Sequence, residues 1–189
     1  MIKAVIFDCF GVLVEDALSA LRQRIGPEEQ QQIIDISHAS HRGLIDSEDS
    51  NRQIAALLKM SPEQYVLTIQ NGEVKNQKLM EYIANLRKNH KTAMLSNISA
   101  GGVKKRFTDS EIAGHFDVVV ASGDIGYAKP EPEAYEIAAD RLGVLLKECV
   151  FTDDKEEYCD GARAVGMRAI MYENFEQFHG ELEELLTNE

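Results

Sequence analysis

The feature that most constrains this chain is the run Ala4-Val5-Ile6-Phe7, which stops abruptly on an acid, Asp8. Four consecutive apolar residues, with no polar alternation, read as a strand buried on both faces. Such strands belong to parallel sheets covered by helices on either side. The carboxyl ends of those strands open onto the ligand crevice, so Asp8 stands where ligands bind. Gly11 lets the chain turn sharply just beyond it. Taken alone, Asp8 is either a turn former or a nucleophile.

The same arrangement returns along the chain. Apolar runs at Thr92 to Leu95, Val118 to Val120, Cys149 to Phe151 and Ala169 to Met171 are each short enough to be strands. Helical patterns separate them. One carries Leu79, Ile83 and Leu86, and a second is expected near Gly102 to Phe107. A third, Glu133 to Leu142, is announced by Pro130 and Pro132 and stopped by Gly143. A fourth holds Ala162, Ala164 and Val165 and stops at Gly166, and an acidic helix closes the chain. Five strands alternating with helices describe an α/β protein with a Rossmann-like, doubly wound parallel sheet.

Residues 16–77 break this rhythm. They are polar with helical spacing, and three helix starts stand out. Pro27 is followed by Glu28 and Glu29, Asp46 to Asp49 precede Ile54, Leu57 and Leu58, and Ser61-Pro62-Glu63-Gln64 has the make-up of a capping box. The expected organisation is a core over 1–15 and 78–189, with a small all-helical cap inserted over 16–77.

The 189 residues suffice for one core and a small accessory lobe. With 32 acids against 20 bases the net charge is -12, which repels a phosphate backbone and argues against nucleic acid as a partner. An anionic small-molecule substrate would need local cations set against that field. No apolar run approaches a membrane span, and Asp8 interrupts the one early apolar stretch that a signal peptide would need. The three cysteines, Cys9, Cys149 and Cys159, form no CxxC pair. This suggests a reducing cytoplasm and no structural zinc. Monomer and homodimer are both compatible with these features.

Residues able to do chemistry cluster at the strand ends and the loops after them: Asp8, Ser96 with Asn97, Lys129, and Asp153 with Asp154. A parallel sheet brings all these ends to one edge, so the residues can converge. Asp8, Asp153 and Asp154 would repel one another without a cation or a shared proton. Lys129 offers one positive charge, and a hard, oxygen-preferring ion such as Mg2+ suits the remainder. Singly, each has a plainer reading. The acid pair could cap the next helix, Lys129 could be a solvated loop lysine, and Ser96-Asn97 could be a turn.

As an ordered set, Phe7-Asp8-Cys9-Phe10-Gly11-Val12-Leu13, Leu95-Ser96-Asn97, Ala128-Lys129-Pro130-Glu131-Pro132 and Phe151-Thr152-Asp153-Asp154 resembles the motifs of the haloacid dehalogenase-like superfamily. The resemblance implies a carboxylate nucleophile at Asp8 and a hydroxyl at Ser96 that holds the transferred group. It also implies a neutralising cation at Lys129 and magnesium bound by Asp8, the Phe10 carbonyl, Asp153 and Asp154. Asn97 and Arg42 are carried as substrate-binding candidates.

One position departs from the pattern. Phosphatases of the family carry a second Asp two residues after the nucleophile, where this chain has Phe10. A phenyl ring moves no proton, and losing a positioned acid or base typically costs about 10²–10⁴ in rate. Slow turnover of small phosphate esters is the expectation, with a histidine of the inserted segment, His38 or His41, as a possible proton source. Surface placement is the default for His38, His41 and Arg42, and burial as a small hydrophobe for Cys9. An aromatic at this position also resembles the dehalogenase branch, which breaks carbon–halogen bonds without metal. Against that branch stand the acid pair, and the Lys155 and Tyr158 that replace its later Asn and Asp. A non-catalytic protein binding a phosphorylated metabolite is the third reading.

Overall fold

The computed structural model describes residues 1–187. The first apolar run forms β1 (Ala4–Phe7), buried at every position. Four short helices follow: α1 (Ala17–Arg22), α2 (Pro27–His41), α3 (Ser47–Leu57) and α4 (Pro62–Gly72). Their starts have local causes. The Asp16 and Asp46 carboxylates accept from the backbone N–H groups of Ser19 and Asp49. Pro27 occupies the first turn of α2, and Ser61 with Gln64 closes the capping box of α4.

The alternating part then runs α5 (Gln77–Leu86), β2 (Lys91–Ser96), a single 3₁₀ turn (Val103–Lys105), α6 (Asp109–His115) and β3 (Val118–Ala121). It continues through α7 (Ser122–Ile125), α8 (Pro132–Leu142), β4 (Cys149–Asp153), α9 (Glu156–Ala164), β5 (Arg168–Met171) and α10 (Phe175–Thr187). The helix expected over Gly102 to Phe107 is only that 3₁₀ turn. Gly101 sits at positive φ just before it, and the true helix begins six residues later, where Thr108 and Glu111 form a capping box.

All strand pairings are parallel, in the order β3-β2-β1-β4-β5. Side-chain alternation sorts the strands onto two cores. Val5, Phe7, Met94 and Val150 face a layer with Leu79, Ile83 and Phe178 from α5 and α10. Ala4, Ile6, Leu95 and Phe151 face the other layer, with Tyr135, Ala138 and Ala162 from α8 and α9. The result is the three-layered, doubly wound α/β architecture expected from the sequence.

The helical segment α1–α4 has a small apolar cluster of its own: Leu21, Ile33, Ile54, Ala55, Tyr65 and Ile69. Its two connections to the sheet lie side by side, with Val14 bridged to Lys75 and the Asn76 N–H donating to the Leu13 carbonyl at 2.9 Å. Polar contacts hold it against the core, among them the Ser122 hydroxyl donating to the His41 carbonyl at 2.8 Å. All three cysteines are buried and unpaired. No helix among the described residues is long and apolar enough to cross a membrane.

Candidate active site

Asp8 follows β1 directly and its N–H donates to the Thr152 carbonyl of the neighbouring strand at 2.9 Å, which ties the loop to β4. Asp153 ends β4, and Asp154 is the next residue. Lys129 comes in from the loop between α7 and α8. Its ammonium group donates to Asp8 Oδ1 and to Asp153 Oδ2, each at 2.6 Å, with all three side chains nearly inaccessible to solvent. The same ammonium lies over the Phe151 and Tyr158 rings at 5.3 and 5.1 Å. The Lys129 backbone is clamped in turn. The Asn97 amide donates to its carbonyl and accepts from its N–H, both at 2.8 Å, and the Lys129–Pro130 peptide is cis.

Asp8, Asp153 and Asp154 each place one carboxylate oxygen within 4.8 Å of the others. Burial raises the Asp8 carboxyl to about 6, and the Asp153 charge adds to that rise while Lys129 opposes it. Burial also pushes Asp153 and Asp154 upward. For Lys129, burial alone would favour the neutral amine, but the two carboxylates outweigh it and keep the ammonium. Asp154 Oδ1 is buried and has no hydrogen-bond partner. Three converging carboxylates, one with an orphaned oxygen, form a donor set that fits a hard divalent cation. Gly11 makes room for this. Its φ is +82°, and a Cβ there would stand 2.4 Å from the Asp154 carboxyl carbon.

The acid pair does not cap α9, whose N-cap is Lys155 with no side-chain cap bond, although Asp153 Oδ1 accepts the Lys155 N–H at 3.0 Å. Ser96 is fully buried at the end of β2, with a hydroxyl that has no partner. A cavity of about 280 Å3 opens from Asp8, Phe10 and Lys129 into the space between α1–α4.

The structure places the two substrate-binding candidates differently. Arg42 does not line this cavity. It sits at the C-terminal end of α2, half exposed, and pairs with Glu131 on the core at 2.9 Å. Asn97 does line it, and its amide also clamps the Lys129 backbone at both the N–H and the carbonyl. His41 also departs from its expected surface placement. It lines the cavity, its Nδ1 is buried without a partner, and burial pushes its pKa down to about 4. His38 lines the cavity from an exposed position.

Several cavity residues escaped the sequence analysis. The Arg106 guanidinium stands over the Phe10 ring at 4.9 Å and donates to Glu73 at 2.6 Å and to the Gly102 carbonyl at 3.1 Å. Arg22 and Lys105 line the cavity as well. The one available signal was the run Lys104-Lys105-Arg106, three bases in an acidic chain a few residues beyond the end of β2.

A parallel sheet that gathers buried acids and a lysine at its carboxyl edge, beneath a cavity, has the architecture of an α/β enzyme. A model of the haloacid dehalogenase-like hydrolases matches residues 2–166, and the chain belongs to that family. Phosphatase MT3486 of Mycobacterium tuberculosis is 49% identical over 55 residues, which cover 29% of this chain and 25% of that protein. This chain therefore matches only a quarter of that relative's length. Protein CbbY of Rhodobacter capsulatus is 28% identical over 165 residues, covering 83% of this chain and 68% of its own. Among solved structures, the HAD family enzyme bt-2542 from Bacteroides thetaiotaomicron superposes with a TM-score of 0.77 at 23% identity, over 96% of this chain and 98% of that one. It has also been solved in complex with magnesium and inorganic phosphate, in a form that superposes with a TM-score of 0.73 at 22% identity, over 92% and 95% of the two chains.

Proposed function

We propose that the chain is a Mg2+-dependent hydrolase of small phosphate esters that works through an aspartyl-phosphate on Asp8. Residues 16–77 act as a helical cap that closes over the substrate. The observation that carries this reading is the convergence of Asp8, Asp153 and Asp154 around Lys129, with a buried Asp154 oxygen lacking any partner. The phosphate and magnesium held by bt-2542, and the phosphatase name of the mycobacterial relative, support it.

Asp8, Asp154 and the Phe10 carbonyl would hold the cation, with Asp153 steadying the set through Lys129. When bound, the ion offsets the charge on the phosphoryl oxygens and lets a carboxylate approach an anion. Lys129 contributes a second, fixed positive charge beside the nucleophile. An Asp8 oxygen bonds to phosphorus as the ester P–O bond breaks, and the leaving oxygen takes up a proton from water. The Ser96 hydroxyl, free of other partners, donates to the transferred group. Water then attacks the phosphorus of the aspartyl-phosphate, releasing inorganic phosphate and restoring Asp8. Phe10 supplies no proton in either step, so turnover is slow.

The test is a panel of phosphate esters assayed with Mg2+. Asp8→Asn is expected to lower turnover by about 10³-fold or more. Phosphate release untouched by that substitution would sink the mechanism. Halide release from a 2-haloacid in the presence of EDTA would move the protein to the dehalogenase branch. Tight phosphate binding without turnover would mark it as a binding protein.

A further inference from the structure

Five cations line the cavity: Arg22, Lys105, Arg106, Lys129 and Lys155. Four have partners. Lys129 is held by Asp8 and Asp153, Arg106 by Glu73 and the Gly102 carbonyl, Lys105 by the Ser47 hydroxyl at 3.2 Å, and Lys155 lies 5.4 Å from the Tyr158 ring. Among the described residues, Arg22 has no side-chain hydrogen bond, ion pair or ring contact, and its Nε is buried without an acceptor. Asp16 and Glu73 line the same cavity, but neither lies within ion-pair distance of Arg22, and a buried guanidinium nitrogen without an acceptor is unfavourable unless a ligand supplies one.

The position of Arg22 indicates where that charge comes from. Arg22 lies one helical turn beyond Leu18 on α1, and both line the cavity, so this face of α1 forms part of its wall. Asp8 lines the same cavity from the sheet edge. The cavity, at about 280 Å3, sits at the small end of ligand pockets. A ligand whose phosphate meets Asp8 therefore extends toward the helical segment with only a short skeleton. A planar, two-pronged donor suits a carboxylate.

We infer that Arg22 is the carboxylate-binding residue of the cap, and that the substrates are phosphate monoesters of small hydroxy acids, with the phosphate at Asp8 and the carboxylate at Arg22. This assignment rests on the phosphatase reading and adds to it the class of substrate.

The experiment compares 3-phosphoglycerate with glycerol 3-phosphate, which differ in one carboxylate, using the full chain with Mg2+. Wild type is expected to favour the carboxylated ester at least tenfold in kcat/KM. Arg22→Met should bring that ratio close to one, chiefly through KM, and Arg22→Lys should keep part of it. A second pair, 1,3-propanediol bisphosphate and propyl phosphate, separates a carboxylate site from a general anion site. Preference for the bisphosphate over 3-phosphoglycerate would overturn the carboxylate assignment. A ratio near one in wild type, or equal losses on both esters in Arg22→Met, would overturn the inference while para-nitrophenyl phosphate hydrolysis left the phosphatase reading standing. If no ester is hydrolysed, calorimetry with 3-phosphoglycerate decides. Binding by wild type that weakens at least tenfold in Arg22→Met would uphold the subsite without the catalysis, and no binding would end both.

Discussion

The sheet edge and the helical segment above it handle charge in opposite ways. At the edge, Lys129 is locked between Asp8 and Asp153 at 2.6 Å on each side, its backbone is clamped by Asn97, and aromatic rings lie beneath its ammonium. In the helical segment, Arg22 and the buried Nδ1 of His41 have no partner among the described residues. The packing differs in parallel. The sheet has an extensive apolar core on each face, whereas α1–α4 share a cluster of six buried residues. On the proposed function, the contrast separates two tasks. Chemistry on a phosphoryl group needs charges fixed in advance, because reorganising them during reaction costs rate. Choosing among ligands needs groups left free to meet them.

Between the two regions lies Phe10, whose ring supports Arg106, which in turn holds Glu73 at the end of α4. Where phosphatases of the family carry a second acid, this chain has an apolar platform for a cation that ties the core to the helices. The missing proton donor and the added contact have one cause, the phenyl ring at position 10.

Four changes would test this contrast. Lys129→Met should have the largest effect, because it leaves two buried carboxylates facing each other. A loss of about 3–5 kcal/mol in urea unfolding at pH 7 is expected without Mg2+, and less with it. Stability equal to wild type would mean that the edge is not organised by charge. Ile33→Ala, in the small cluster of α1–α4 and away from the cavity lining, should cost about 2–4 kcal/mol. Limited proteolysis should then cut faster within residues 16–77 than in the sheet. Uniform cleavage would show the two regions unfolding as one.

Phe10→Asp should raise turnover by up to the about 10²–10⁴ that a positioned acid or base contributes, and by at least tenfold. No gain would mean that the proton already comes from elsewhere, with His41 the first group to substitute. The smallest effect is one of pH. The folded Asp8 carboxyl is raised from 3.8 to about 6, so the native state holds more protons than the unfolded chain in that interval. The contribution of this group to stability therefore falls as pH rises from about 4 to 6. In EDTA, the Tm of wild type relative to Asp8→Asn should drop by a few degrees across that window. Mg2+ should restore it most at the upper end. A difference that grows with pH would reverse the sign and discount the crowding of the carboxylates.

Much of this was legible in the chain itself. The strands announce themselves as short apolar runs, because burial on both faces removes the polar alternation of a one-sided sheet. The helix starts at Pro27, Asp46 and Ser61 are equally local, since capping needs only residues within one turn. A parallel sheet has one carboxyl edge, so residues at several strand ends are bound to meet there, and Asp8, Lys129, Asp153 and Asp154 do. Local pattern alone misplaced α6, where paired glycines and a later capping box competed for the helix start.

Tertiary structure decided the rest. Arg42 turns outward to Glu131 while Arg22 and Arg106 turn inward, and nothing near Arg22 and Arg42 in sequence distinguishes those two. Asn97 braces the backbone of a lysine 32 residues away. Which way a long cationic side chain points depends on where the helices of one region come to rest against the sheet of another. That docking is set by contacts between distant segments, which no local window contains.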